Sequence, residues 1–72
     1  MPLTMIKEGE SAIVSRIGGK DEVRRFLGKL GFVPGEQITV ISICNGNVIV
    51  NIKDSRVAIG KDMAAKIFVL AK

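Results

Sequence analysis

Between Lys20 and Leu30 the apolar residues Val23, Phe26, Leu27 and Leu30 recur at i, i+3, i+4 and i+7. That spacing lays them along one face of an α-helix. At about 100° per residue, Val23 and Leu30 fall at the centre of the face, Leu27 and Phe26 flank them, and Phe26 is nearer the rim. Asp21 and Glu22 stand in the first turn and Lys29 in the last, as the helix dipole favours. Gly31 suits the left-handed residue just past a helix end. Gly28 sits on the polar side of the helix, where core packing does not explain it and where glycine costs about 1 kcal/mol relative to alanine.

Elsewhere the period is two. Ser11 to Ile17 alternates, with Ile13, Ser15 and Ile17 on one face and Ala12, Val14 and Arg16 on the other, so the buried face is ambiguous. Val33-Pro34-Gly35-Glu36 predicts a type II turn. Gln37 to Cys44 then reads as a β-branched strand, and Asn45-Gly46 as a two-residue hairpin loop. That loop pairs Cys44 with Asn47, Ile43 with Val48, Ile41 with Val50 and Thr39 with Ile52. One face then carries Ile41, Ile43, Val48, Val50 and Ile52, the expected core stripe. The other carries Ile38, Val40, Ser42, Ile49, Asn51 and Lys53. A second tight turn at Asp54-Ser55 pairs Ile52 with Val57 and Val50 with Ile59. Gly60 ends that strand, Asp62 is placed to cap a single turn through Met63, Ala64 and Ala65, and Ile67 to Leu70 forms the last strand. Before all of this, Leu3 and Ile6 anchor an irregular lead-in that turns at Gly9.

Seventy-two residues amount to one domain, residues 1–72, with a small core. The predicted class is mainly β: a small barrel of about five strands, with one inserted α-helix at about residues 20–30 and a short helical turn before the last strand. The longest terminal apolar run, Ile67 to Ala71, is far below the roughly 20 residues that span a bilayer. Lys7, Glu8 and Glu10 do not suit a signal peptide, which points to a cytoplasmic protein with no direct membrane insertion.

The chemistry on offer is narrow. There is no His, and Cys44 is the single Cys. An internal disulfide is excluded, and one Cys without His cannot make a four-ligand N/S zinc site. The acids, Glu8, Glu10, Asp21, Glu22, Glu36, Asp54 and Asp62, are spread out and read as solvated charges. Cys44 reads as a buried or half-exposed small hydrophobe. No acid–base or nucleophile constellation stands out, so the expectation is a non-enzyme with no catalytic and no metal-binding residues.

Eleven basic against seven acidic residues leave a net charge of +4. Arg16, Lys20, Arg24, Arg25 and Lys29 cluster around the helix and the turn before it. Base stacking needs aromatic platforms, yet Trp and Tyr are absent and only three Phe are present. Nucleic acid is therefore not the expected partner. The same deficit removes the aromatic groove that proline-rich peptides need. The basic face reads either as a solvated surface with local ion pairs, such as Asp21 with Arg25, or as a protein contact built from Arg24, Arg25, Phe26 and Lys29. A second candidate is the apolar patch Ile38, Val40 and Ile49, which Phe68 and Leu70 could join. It is either buried by a strongly curved barrel or a surface for docking or self-association.

The stretch Leu27-Gly28-Lys29-Leu30-Gly31-Phe32-Val33-Pro34-Gly35, the closing Val57-Ala58-Ile59 and Ala64 to Val69, and the opening Leu3 to Glu10 together resemble the FeoA family. These are small cytoplasmic accessory proteins of bacterial ferrous-iron transport. The resemblance covers nearly the whole chain. It implies an SH3-like barrel and a partner, the cytoplasmic domain of a FeoB-type ferrous iron transporter. It also reaches the SH3-like domain of metal-dependent repressors, so a small metal-sensing or nucleic-acid-binding barrel is the alternative. In the family motif, Leu30, Gly31, Pro34 and Gly35 hold the helix exit and turn. Phe26 stands where relatives often carry a basic residue, and Asn45-Gly46 stands where some carry a longer loop. No resident cofactor is implied, only a weak or indirect association with ferrous iron.

Overall fold

A computed structural model describes residues 1–71; Lys72, the last residue of the expected domain, lies outside the described residues. The helical period is realised as α1, Asp21–Leu30. Lys20 precedes it as the N-cap without a side-chain capping bond, and Gly31 ends it in the left-handed conformation at φ 111°. The Phe32 amide donates to the Leu27 carbonyl at 3.0 Å and the Gly31 amide to the Gly28 carbonyl at 3.0 Å, so two of the last carbonyls of α1 are satisfied. The face differs in detail from the expectation. Leu27 is its deepest residue, with no exposed surface, while Val23 and Leu30 pack at its margins.

The remaining elements are β1 (Ser11–Ile17), β2 (Gln37–Cys44), β3 (Asn47–Ile52), β4 (Ser55–Gly60), a four-residue helix α2 (Lys61–Ala64) and β5 (Ile67–Ala71). They form one five-stranded antiparallel sheet in the order β4-β3-β2-β1-β5. The sheet wraps around Ala12, Val14, Ile38, Val40, Val48, Val50, Ile52, Ile59, Ile67 and Val69, with Leu27 and Phe32 from the helix and its exit closing one side. The wrap is completed by the lead-in, not by a β4–β5 ladder. A 3-10 turn at Leu3–Met5 buries Leu3, and Ile6 is buried after it. Met1 exchanges backbone bonds with Val69, at 2.7 Å through its carbonyl and 3.1 Å through its amino group. α2 contacts β3, β4 and the 3-10 turn.

Three turns follow from local chemistry. Gly35 has φ 90° and the Glu36 amide donates to the Val33 carbonyl at 3.0 Å, the type II turn the sequence predicts. The Gly35 amide also donates to the Val14 carbonyl at 2.7 Å, which ties the helix exit to β1. Asn45 and Gly46 both have positive φ, at 49° and 81°, as a two-residue type I′ loop requires. The next loop is Lys53-Asp54, one residue earlier than expected, so Ile52 pairs with Ser55 and Val50 with Val57. Lys53, at φ 57°, supplies the positive torsion.

The expected core stripe fails on β2. The pairs Cys44–Asn47 and Ile43–Val48 form as predicted, but a bulge between Val40 and Ser42 leaves Ile41 as an extra residue. Val40 then pairs with Val50 and Ile38 with Ile52. One inserted residue exchanges the two faces of a strand. Ile38 and Val40 therefore enter the core, while Ile41 and Ile43 remain 38% and 40% exposed. A second bulge, between Val14 and Arg16 in β1, puts Ala12 and Val14 inside and still lets Ile17 pack on the core. Asp62 lies in the first turn of α2 and Gly60 is the N-cap, with no side-chain capping bond.

Candidate functional site

Burial of Ile38 and Val40 removes the patch Ile38, Val40 and Ile49 as an exposed docking surface; Ile49 alone of the three reaches the outside, half-buried. Leu70, 62% exposed, belongs to the outer surface of β1 and β5, opposite Ile13. Phe68 lies beneath the Arg16 guanidinium, 4.1 Å from the ring centroid. That contact commits Arg16 to the sheet and takes it out of the basic group around the helix.

The residues that remain are those of α1. Its buried stripe, centred on Leu27, fixes what the rest of the helix presents. At about 100° per residue the outward half runs from Arg24 through Gly28, Asp21, Arg25, Lys29 and Glu22 to Phe26. Arg24 and Phe26 stand about 160° apart on that wheel, so a flat partner that touches one misses the other. Arg25 and Lys29, one turn apart, form the middle. Phe26, 49% exposed, rims one side beside Lys29.

Electrostatically this half is only slightly basic, with Arg24, Arg25 and Lys29 against Asp21 and Glu22. Asp21 pairs with Arg24, not with Arg25 as the sequence suggested. It is the sole ion pair among the described residues, so Arg25 and Lys29 have no carboxylate partner. Arg24, Arg25 and Asp21 border a shallow, open depression at the start of the helix. The motif positions sit behind this surface: Leu30 packs on the core, Gly31 abuts Ile52, and Pro34-Gly35 forms the turn onto β1. They position α1 and do not line its outer face.

Other chemistry is sparse. Cys44 is exposed at the hairpin tip rather than half-buried. Glu8 accepts the Ile43 amide at 2.7 Å and Glu10 the Lys7 amide at 3.1 Å, so both carboxylates serve the backbone of the lead-in and β2. Among the described residues no three His, Cys, Asp or Glu side chains gather as a metal group. No helix among the described residues is long and apolar enough to cross a membrane.

The FeoA domain model matches residues 1–71. A protein of Methanocaldococcus jannaschii named Fe(2+) transport protein A is 40% identical over 68 residues, covering 94% of this chain and 83% of the relative. A crystal structure described as the iron uptake regulatory protein FeoA superposes with a TM-score of 0.87 at 34% identity, over 94% of this chain and 90% of that one. The FeoA of Stenotrophomonas maltophilia, solved with zinc and described as a prokaryotic SH3 domain protein, superposes with a TM-score of 0.83 at 25% identity, over 96% of this chain and 88% of that one. The fold thus has close counterparts among solved FeoA structures, and the chain belongs to the FeoA domain family, with its SH3-like fold and its association with Fe(2+) transport.

Proposed function

We propose that the protein is a non-enzymatic accessory of ferrous-iron uptake. It works in the cytoplasm by docking on the cytoplasmic domain of a FeoB-type transporter through the outward half of α1. Family membership supports the transport role. One observation carries the placement: Arg25 and Lys29, in no ion pair among the described residues, stand one turn apart on the outward face of one helix, beside the exposed edge of Phe26. A surface cation without a partner gives up little within its own fold, and charge complementarity across an interface speeds encounter and fixes register. Arg24, already held by Asp21, stands on the opposite rim and is outside a contact that includes Phe26. Iron is cargo of the transporter in this reading, and no residue of this chain is assigned to bind it.

The test is the double charge reversal Arg25→Glu with Lys29→Glu, titrated against the soluble cytoplasmic domain of the same organism's transporter. Affinity is expected to fall at least about tenfold, or about 1.4 kcal/mol. Wild-type binding is expected to weaken as salt rises, and circular dichroism to show the fold retained. Unchanged affinity of the reversed protein contradicts the placement.

A further inference from the structure

The glycine inside α1 has no use within the molecule. A mid-helix glycine is retained for one of two internal reasons, a positive φ or a neighbour too close for a Cβ. Gly28 has neither: its φ is not in the left-handed region, and a Cβ built on it meets nothing within 4 Å. Gly31, three residues on, has both, with φ 111° and a Cβ position 2.9 Å from Ile52 Cγ2. The fold therefore bears the conformational freedom of Gly28 without return. What Gly28 does provide is a bare patch of helix backbone on the outward half of α1. Arg24 and Arg25 stand one turn before it and Lys29 beside it.

We infer that Gly28 is the point of closest approach for an acidic helix of the partner. This rests on the docking reading above and deepens it. A notch made by one missing side chain, walled by long basic ones, admits a second helix by ridge-into-groove packing. The helix axes come closer at Gly28 than any larger residue permits. Carboxylates flanking the contact point reach Arg25 and Lys29, neither of which has a carboxylate partner among the described residues. An extended segment fits less well, because it gains most by adding to a sheet edge, where main-chain bonds are available. The crossing point also ranks the residues of the face. Arg25 and Lys29 flank the contact, and Phe26, about 160° round the helix from Gly28, is peripheral.

The experiment measures thermal stability and binding together. Gly28→Ala and Gly28→Leu are each compared with the wild type for Tm and for affinity toward the transporter's soluble cytoplasmic domain, with the Arg25→Glu and Lys29→Glu double variant alongside. Gly28→Ala is expected to raise Tm by about 4–8 °C, as a helix-favouring change of about 1 kcal/mol does in a domain this small. It is expected to weaken binding by about tenfold, and Gly28→Leu more. A more stable protein that binds worse supports the inference. A fall in Tm for Gly28→Ala overturns it, because the glycine then serves the fold. Wild-type affinity in both Gly28 variants, with affinity lost in the charge-reversed protein, overturns the close approach and leaves the docking face standing. Wild-type affinity in all three, or no binding by the wild-type protein itself, overturns the face and this inference together.

Discussion

Gly28 and Gly31 belong to the same helix end and obey different masters. Gly31 is demanded from inside: its left-handed torsion closes α1, and Ile52 occupies the space a side chain needs. Gly28 is demanded by nothing inside, yet weakens the helix it sits in. The pair separates two kinds of cost in one short stretch. One is the cost of building the barrel; the other is the cost of presenting a surface. In a domain with so small a core the second kind stands out, since few residues can be spared from packing.

The largest way to break this contrast is to release the helix altogether. Leu27→Ala empties the deepest position of α1 and is expected to cost about 3–5 kcal/mol in denaturant unfolding. That is most of the stability of a domain this size, so both glycines lose their context together. Next is Gly31→Ala, expected to destabilise by about 2–4 kcal/mol in the same assay, from left-handed strain and overpacking against Ile52. Gly28→Ala is expected to move the opposite way, by about 1 kcal/mol of stabilisation on thermal melting. Opposite signs three residues apart are the sharpest form of the contrast, and equal signs would erase it. The smallest effect is that of Arg16→Ala. It removes the guanidinium from Phe68, is expected to cost about 0.5 kcal/mol, and should leave docking unchanged in the same titration because Arg16 is committed to the sheet.

Local chemistry made much of this legible in the sequence. The helix and its glycine stop, the Pro34-Gly35 turn and the Asn45-Gly46 loop each depend on a few neighbouring residues whose torsions are restricted. The anchors Leu3 and Ile6 were equally plain. The faces of β1 and β2 were not. Each strand contains a bulge, at Ser15 and Ile41, and apolar residues on both faces, so alternation by itself allowed either side to be buried. Curvature around the shared core decided it. The same single-residue shift took Ile38 and Val40 from the candidate surface into the interior and left Ile41 out; Ile43, beyond the bulge and still paired with Val48, is exposed near the hairpin tip. Gly28 was visible as an anomaly from its position on the wheel. That it faces open space became visible only once the barrel was in place.

The most direct measurement is an amide-resolved NMR titration of the protein with the soluble cytoplasmic domain of its organism's ferrous-iron transporter. Saturable shifts forming one patch from Arg24 to Lys29, centred on Gly28, are the predicted result. A patch on β2 around Ile41 and Ile43, on the outer surface of β1 and β5 around Leu70, or no shifts at all, would contradict the account.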